Sequence, residues 1–249
     1  MTTTPAARLG FDALFLDAGG VLVHPSWTRI SDALVRQGLH VDPAVLMRAD
    51  PHAKHELDVA HGISQTTDAA RAPHYLELVL ARAGLAMSPA TEAALVEMRD
   101  YHARENLWED VAAEVVPALG RLRAAGLRLV VVSNANGRLR AAFDRIGLTP
   151  HLDDIIDSTE VGYEKPDPAI FRLALARAGS EAPRAVHVGD LYHVDVIGAR
   201  AAGVRAVLFD GADLYGDHDC PRVATLDALV ALVEAGDPRP FGPPPAVPA

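Results

Sequence analysis

Asp17 closes an apolar run, Phe11-Asp-Ala-Leu-Phe-Leu-Asp17, and is followed at once by Ala18-Gly19-Gly20. A carboxylate delivered by a buried strand into a glycine turn sits where open α/β sheets carry their chemistry. Glycines at such a turn let backbone amides approach an anion closely, so Gly20 joins the candidates for anion binding. Polar groups recur where later strands end: Ser133-Asn134; Lys165 within Gly162-Tyr-Glu-Lys-Pro-Asp-Pro168; and Asp190 with Asp195 within Gly189-Asp-Leu-Tyr-His-Val-Asp195. In a parallel sheet these would converge on one rim. Taken singly, each has a plainer reading. Asp17 can cap a turn, Ser133 and Asp190 can cap helices, Asp195 can be a solvent-facing helical acid, and Lys165 an exposed lysine.

The elements needed to bring these residues together follow from the apolar spacing. Strands are expected at Ala13–Leu16, Leu129–Val132, Ile155–Asp157, Ala185–Val188 and Ala206–Phe209. They alternate with helices at Val111–Ala125, Leu139–Ile146, Pro168–Ala178, Val194–Ala202 and Leu226–Glu234. That alternation specifies an α/β fold, a Rossmann-like parallel sheet with helices on both faces. About a hundred residues separate the first two strands, where a direct crossover takes about thirty. Three- and four-residue apolar spacing at Trp27–Gly38, Ala44–Ala60, Ala69–Ala83 and Ser88–Glu105 fills the gap with an inserted all-helical cap domain. The expected division is a core of residues 1–24 and 109–236, a cap of 25–108, and a proline-rich, disordered tail of 237–249. Trp27 and Trp108 mark the two linkers as hinge packing.

Composition narrows the function. The chain has 249 residues, 49% of them hydrophobic, and a formal net charge of −10 with no long basic run. Nucleic acid and anionic membranes are therefore not expected partners, and no apolar run reaches the length of a membrane span. The single cysteine, Cys220, and a start without a signal-peptide apolar core predict a cytoplasmic protein, monomeric or homodimeric. Of the basic residues only Lys54 and Lys165 are lysines, which makes each more informative.

The four polar strand ends, in this order and spacing, resemble the motifs of the haloacid dehalogenase (HAD) superfamily of hydrolases. The most specific pieces are Glu164-Lys-Pro-Asp-Pro-Ala-Ile-Phe171 and Val188-Gly-Asp190 with Asp195 and Gly198-Ala-Arg-Ala-Ala-Gly203. The resemblance spans about residues 9–236, interrupted by the cap. It implies a Mg²⁺-dependent hydrolase of a small phosphorylated metabolite, working through an aspartyl-phosphate on Asp17. Mg²⁺ would be held by Asp17, the carbonyl of Gly19 and Asp190, with Asp195 as ligand or just behind it. Ser133, the amide of Asn134 and Gly20 would bind the phosphoryl group, and Lys165 would neutralise charge. The phosphoryl-transfer logic requires such cations, because a carboxylate attacks a phosphate only when their mutual repulsion is offset.

One position departs from the family. Its phosphatases carry Asp-x-Asp, and the second acid is Gly19 here, so a general acid–base group that typically contributes about 10²–10⁴ in rate is absent. His24 and His193 are candidates to replace it. Two alternatives follow. One is 2-haloacid dehalogenase or phosphonatase-type C–X or C–P cleavage, with Arg48 as a carboxylate clamp or Lys54 as a Schiff-base amine, although both also read as exposed helix residues. The other is a degenerate binder of phosphorylated ligands without turnover. His52, His55 and His61 match no standard zinc spacing.

Overall fold

The computed structural model describes residues 9–59, 68–243 and 245. The chain opens with β1 (Ala13–Leu16) and a short β2 (His24–Pro25). Four helices follow: α1 (Trp27–Arg36), α2 (Pro43–Val59), α3 (Asp68–Arg82) and α4 (Pro89–Glu105). The chain returns through β3 (Trp108–Asp110) into α5 (Val115–Ala124), β4 (Arg128–Ser133), α6 (Leu139–Arg145), β5 (Asp154–Asp157) and the single turn α7 (Ser158–Val161). It ends with α8 (Pro168–Ala178), β6 (Ala185–Gly189), α9 (Ile197–Ala201), β7 (Arg205–Phe209), β8 (Arg222–Val223) and α10 (Leu226–Ala235).

Six strands form one parallel sheet in the order β5-β4-β1-β6-β7-β8. The α/β class read from the sequence is the fold observed. Successive side chains on a strand point to opposite faces, and the core divides accordingly. Leu14 and Leu16 pack with Val131, Val188 and residues of α5, α6 and α10, while Ala13 and Phe15 pack with Val130, Val132 and residues of α8 and α9. With β1 between β4 and β6, all three strands end at the same rim, which puts Asp17 beside Ser133 and Asp190.

The four helices between β2 and β3 bury their own cluster, including Trp27, Leu34, Leu46, Leu80 and Leu95. Ser88 starts α4 with a reciprocal capping box, its hydroxyl accepting from Thr91 N–H while Ser88 N–H donates to Thr91 Oγ1. The two linkers form an antiparallel pair, β2 against β3, so the chain leaves and re-enters the core side by side. Two-residue strands are too short for a periodicity signal. Two further differences concern the end of the core. The helix expected over Val194–Ala202 begins as a wide, π-type turn at Tyr192–Val196 before α9. The tail expected to be disordered from residue 237 holds a helical turn at Arg239–Phe241. Phe241 is 1% exposed, its ring 4.9 Å from that of Phe11. A buried aromatic outweighs the surrounding prolines.

No described helix is long and apolar enough to cross a membrane.

Candidate active site

Asp17 follows β1 directly, and its backbone N–H donates to the Val188 carbonyl at 2.8 Å, which extends the β1–β6 pairing by one residue. That bond fixes the carboxylate at the rim. Oδ1 accepts from Ala18 N–H at 2.7 Å and lies 2.9 Å from the Lys165 ammonium, while Oδ2 has no partner among the described residues.

Lys165 is 1% exposed. Its Nζ donates to Asp195 Oδ1 at 2.7 Å as well as facing Asp17, and the two carboxylates outweigh burial to hold the ammonium above the ordinary lysine range. The Asn134 side chain clamps the same residue, accepting from Lys165 N–H at 2.7 Å and donating to Lys165 O at 2.9 Å. This leaves the Asn134 backbone N–H for a ligand, together with the Ser133 hydroxyl, whose only hydrogen bond among the described residues is a long one to the Asn134 carbonyl at 3.4 Å.

Asp195 is wholly buried, and its second neighbour at Oδ1 is His187 Nε2, at 2.8 Å. Burial alone would raise its pKa, but Lys165 and His187 together hold it well below the carboxylate range. Its Oδ2 accepts from Leu191 N–H at 3.0 Å. A side chain at Gly189 would overlap the Asp195 carboxyl, so the glycine is what admits it. With both oxygens engaged, Asp195 sits behind Lys165 as its counter-charge. His187 escaped the sequence reading. The signal for it was a polar residue within the apolar run Ala185-Val-His-Val188.

Ligand atoms of Asp17, Asp190 and Asp195 lie within 4.8 Å of one another, and among the described residues no other such group of histidine, cysteine and acid side chains assembles. Burial, with Asp17 and Asp195 nearby, pushes the Asp190 carboxyl up to about 7 against the pull of Lys54. Crowded carboxylate oxygens of this kind suit a hard divalent cation. Asp17 Oδ2 and Asp190 Oδ1 are the oxygens without partners among the described residues, and they fit that role best.

Gly20 does not fit its expected part. Its N–H donates to the Val23 carbonyl at 2.8 Å and is not available to an anion. Glycine is required there for another reason: φ is +86°, and a Cβ would collide with the Asp190 carboxylate and the Lys54 amine. Gly19 is not in the left-handed region. The space a side chain would enter is filled instead by Trp108, whose indole Nε1 would lie 3.1 Å from the added Cβ. Trp108 therefore does more than pack a hinge. Its indole covers the position of the missing acid, stacked on Tyr75 and edge-on to His102.

Lys54 is the largest correction. Far from being an exposed helix residue, it is 13% exposed at its side chain, with Nζ donating to Asp190 Oδ2 at 2.7 Å and lying 3.7 Å from Asp50. Burial would lower its pKa, yet Asp190 and Asp50 hold it above the lysine range. Asp50, Lys54 and Asp58 share one face of α2 at four-residue spacing. Asp58 accepts from Tyr192 N–H at 2.8 Å, His193 N–H at 3.0 Å and the Tyr215 hydroxyl at 3.0 Å. Arg48 is exposed and lies outside both cavities. His24 lines a second cavity, of about 390 Å³, near Asp50, and His193 faces Asp58. Neither histidine lines the cavity that holds Asp17. His52 is exposed, His55 packs on Tyr215, and His61 lies outside the described residues.

The sheet, the rim and the helical insert define an α/β protein that places an acid directly after its first strand. A model of the haloacid dehalogenase-like hydrolase family matches residues 11–203, and the chain belongs to that family. It is 30% identical over 248 residues to haloacid dehalogenase-like hydrolase domain-containing protein 3 of Homo sapiens, covering 93% of this chain and 96% of that one. It is 33% identical over 225 residues to phosphoglycolate phosphatase of Rhodospirillum rubrum, covering 88% and 86%. Among solved structures it resembles the magnesium-bound HAD-hydrolase YfnB of Bacillus subtilis, with a TM-score of 0.62 at 15% identity over 90% of this chain and 98% of that one.

Proposed function

We propose that the protein is a phosphatase that cleaves a small organic phosphate monoester through an aspartyl-phosphate on Asp17. The observation that carries this reading is the Lys165 ammonium 2.9 Å from the Asp17 carboxylate in a buried site shared with two more acids. A phosphatase-named relative covering most of the chain supports it.

In this mechanism an Asp17 oxygen attacks phosphorus while the bond to the ester oxygen breaks. The leaving oxygen departs with the electron pair and takes its proton from water. A second water then attacks phosphorus, the Asp17–phosphorus bond breaks, and inorganic phosphate leaves. Ser133 and the Asn134 amide hold the phosphoryl oxygens, and Lys165 keeps the nucleophile and the incoming anion together. Asp195 and His187 position Lys165. Mg²⁺, held by Asp17, the Gly19 carbonyl and Asp190, would supply charge neutralisation at the phosphoryl group. The Trp108 indole Nε1–H has no partner among the described residues and offers the leaving oxygen a hydrogen bond where relatives place a carboxylic acid. An indole cannot give that proton up. The insert, as a cap over this rim, excludes water and sets the substrate.

The C–P alternative needs Lys54 as a free amine, and its pairing with Asp190 and Asp50 keeps it an ammonium ion. The dehalogenase alternative needs Arg48 at the site, and it is exposed elsewhere. The test is turnover of p-nitrophenyl phosphate. Asp17→Asn is expected to lose at least ~10³-fold in kcat, and EDTA to abolish activity that Mg²⁺ restores. Wild-type turnover in either arm overturns the assignment.

A further inference from the structure

The rim opens into a cavity of about 600 Å³ between the core and the insert, with Asp17, Ser133 and Lys165 at one end. That space far exceeds what a two- or three-carbon phosphate would fill. Its walls are formed by Leu57, Tyr75, Leu76, Met98, Trp108 and Leu139.

Several of the polar groups on these walls are spent on the protein itself, while Arg99, on the same wall, is solvent-exposed. The Tyr75 hydroxyl is turned away to donate to Asp50 at 2.6 Å. Asn106 Oδ1 accepts from the Trp108 backbone N–H at 3.0 Å, and His102 Nδ1 accepts from the Leu107 backbone N–H at 3.1 Å. The Asn136 amide donates to the His102 carbonyl at 2.9 Å, and the Thr159 hydroxyl to the Ala135 carbonyl at 2.6 Å. A sugar entering this space would meet mainly the carbon surfaces of Leu57, Leu76, Met98 and Leu139 and would strip water from more hydroxyls than the walls can satisfy, which is unfavourable for each one left over. A flat apolar group would lose nothing, and the faces of Tyr75 and Trp108 suit it.

Building on the phosphatase reading, we infer that the cavity binds the organic part of the substrate, and that this part is an apolar, ring-containing group rather than a sugar or a short hydroxy acid.

The test separates cavity fit from leaving-group chemistry by comparing esters of primary alcohols only. With Mg²⁺ present, kcat/KM is measured for 2-phenylethyl phosphate, ethyl phosphate, phosphoglycolate and glucose 6-phosphate. The phenylethyl ester is expected to exceed each of the others by at least about tenfold. In Leu76→Asn that advantage is expected to fall at least fivefold. Calorimetric binding of the non-hydrolysable 2-phenylethylphosphonate against ethylphosphonate repeats the comparison without turnover, and covers the case in which Leu76→Asn does not fold. Equal turnover and equal binding across the series overturn the inference and leave the phosphatase reading standing. Preferential binding of the phenylethylphosphonate with no ester hydrolysed overturns the phosphatase reading and leaves the cavity assignment standing.

Discussion

Two clusters of buried charge meet at Asp190, and they are built in opposite ways. The rim cluster of Asp17, Lys165, Asp195 and His187 comes from strand ends and the loops after them, so sheet hydrogen bonding fixes where each group stands. The insert cluster of Asp50, Lys54 and Asp58 comes from one face of one helix and reaches across to the core through Asp190, Tyr192, His193 and Tyr215. The rim is therefore rigid for the same reason the fold is. The insert holds its place on the core partly through charges that share the site's own electrostatics, which couples its position to whatever the rim binds.

The sharpest way to break the rim is Lys165→Met. Methionine matches the length but leaves Asp17 and Asp195 facing each other without a cation, and removing one partner of a buried pair costs about 3–5 kcal/mol. For a chain of this size that lowers the melting temperature by roughly 10 °C. Loss of a preorganised cation should also reduce kcat by ~10² or more. Calorimetry and turnover of p-nitrophenyl phosphate check both. A variant that melts like wild type would mean that the rim's charges are not balanced by Lys165.

The insert cluster is tested by Lys54→Met. The amine is slightly solvent-exposed, so a smaller loss of about 2–3 kcal/mol is expected in EDTA. If Asp190 binds a divalent cation, Mg²⁺ should raise the melting temperature of this variant more than that of wild type, since the ion takes over the neutralising role. An equal Mg²⁺ increment in both proteins would separate the insert's charges from the metal site.

This contrast also explains what the sequence disclosed. Asp17, Ser133, Lys165 and Asp190 were legible because each stands at the end of an apolar strand or in a proline-punctuated loop, and parallel pairing leaves such residues only one rim to occupy. Lys54 and Asp58 were not, because helix burial is read from apolar spacing and the buried face of α2 is charged. The row Asp50-x₃-Lys54-x₃-Asp58 is visible in the sequence, but i, i+4 charges ordinarily mark a solvated face. Gly19 was legible as a missing acid. That Trp108 fills its place depends on the pairing of β2 with β3, which is too short to announce itself.

Gly19→Asp probes the seam between the two regions. The backbone at Gly19 accepts a side chain, so the obstacle is the indole of Trp108. The single variant is expected to gain nothing. In a Trp108→Ala background, where the space is open, Gly19→Asp should raise kcat on ethyl phosphate about tenfold over Trp108→Ala alone and leave p-nitrophenyl phosphate nearly unchanged, because only the alkoxide needs a proton. Gly19→Asn in the same background is the control. An unchanged alkyl-to-aryl ratio would mean that another group already serves as the acid.

The smallest effect concerns His102, at the contact between α4 and the loop after β4. Burial lowers its pKa below the ordinary value of 6.5, with the Asn106 side chain opposing weakly. A histidine kept neutral by the fold binds its proton more readily when unfolded. Below about pH 6.5 the unfolded chain therefore takes up a proton that the native state refuses, and stability falls as pH falls. Asp190, raised to about 7, acts in the opposite sense over the same range, since its native state accepts a proton more readily than the unfolded chain does. The wild-type profile alone thus mixes both clusters, and the difference between wild type and His102→Gln isolates the contact. Melting temperatures from pH 7.5 to 5.5 should show wild type losing more than His102→Gln. Parallel profiles would mean that His102 is protonated as easily in the fold as out of it, and that the insert's contact with the β4 loop does not exclude water from the imidazole.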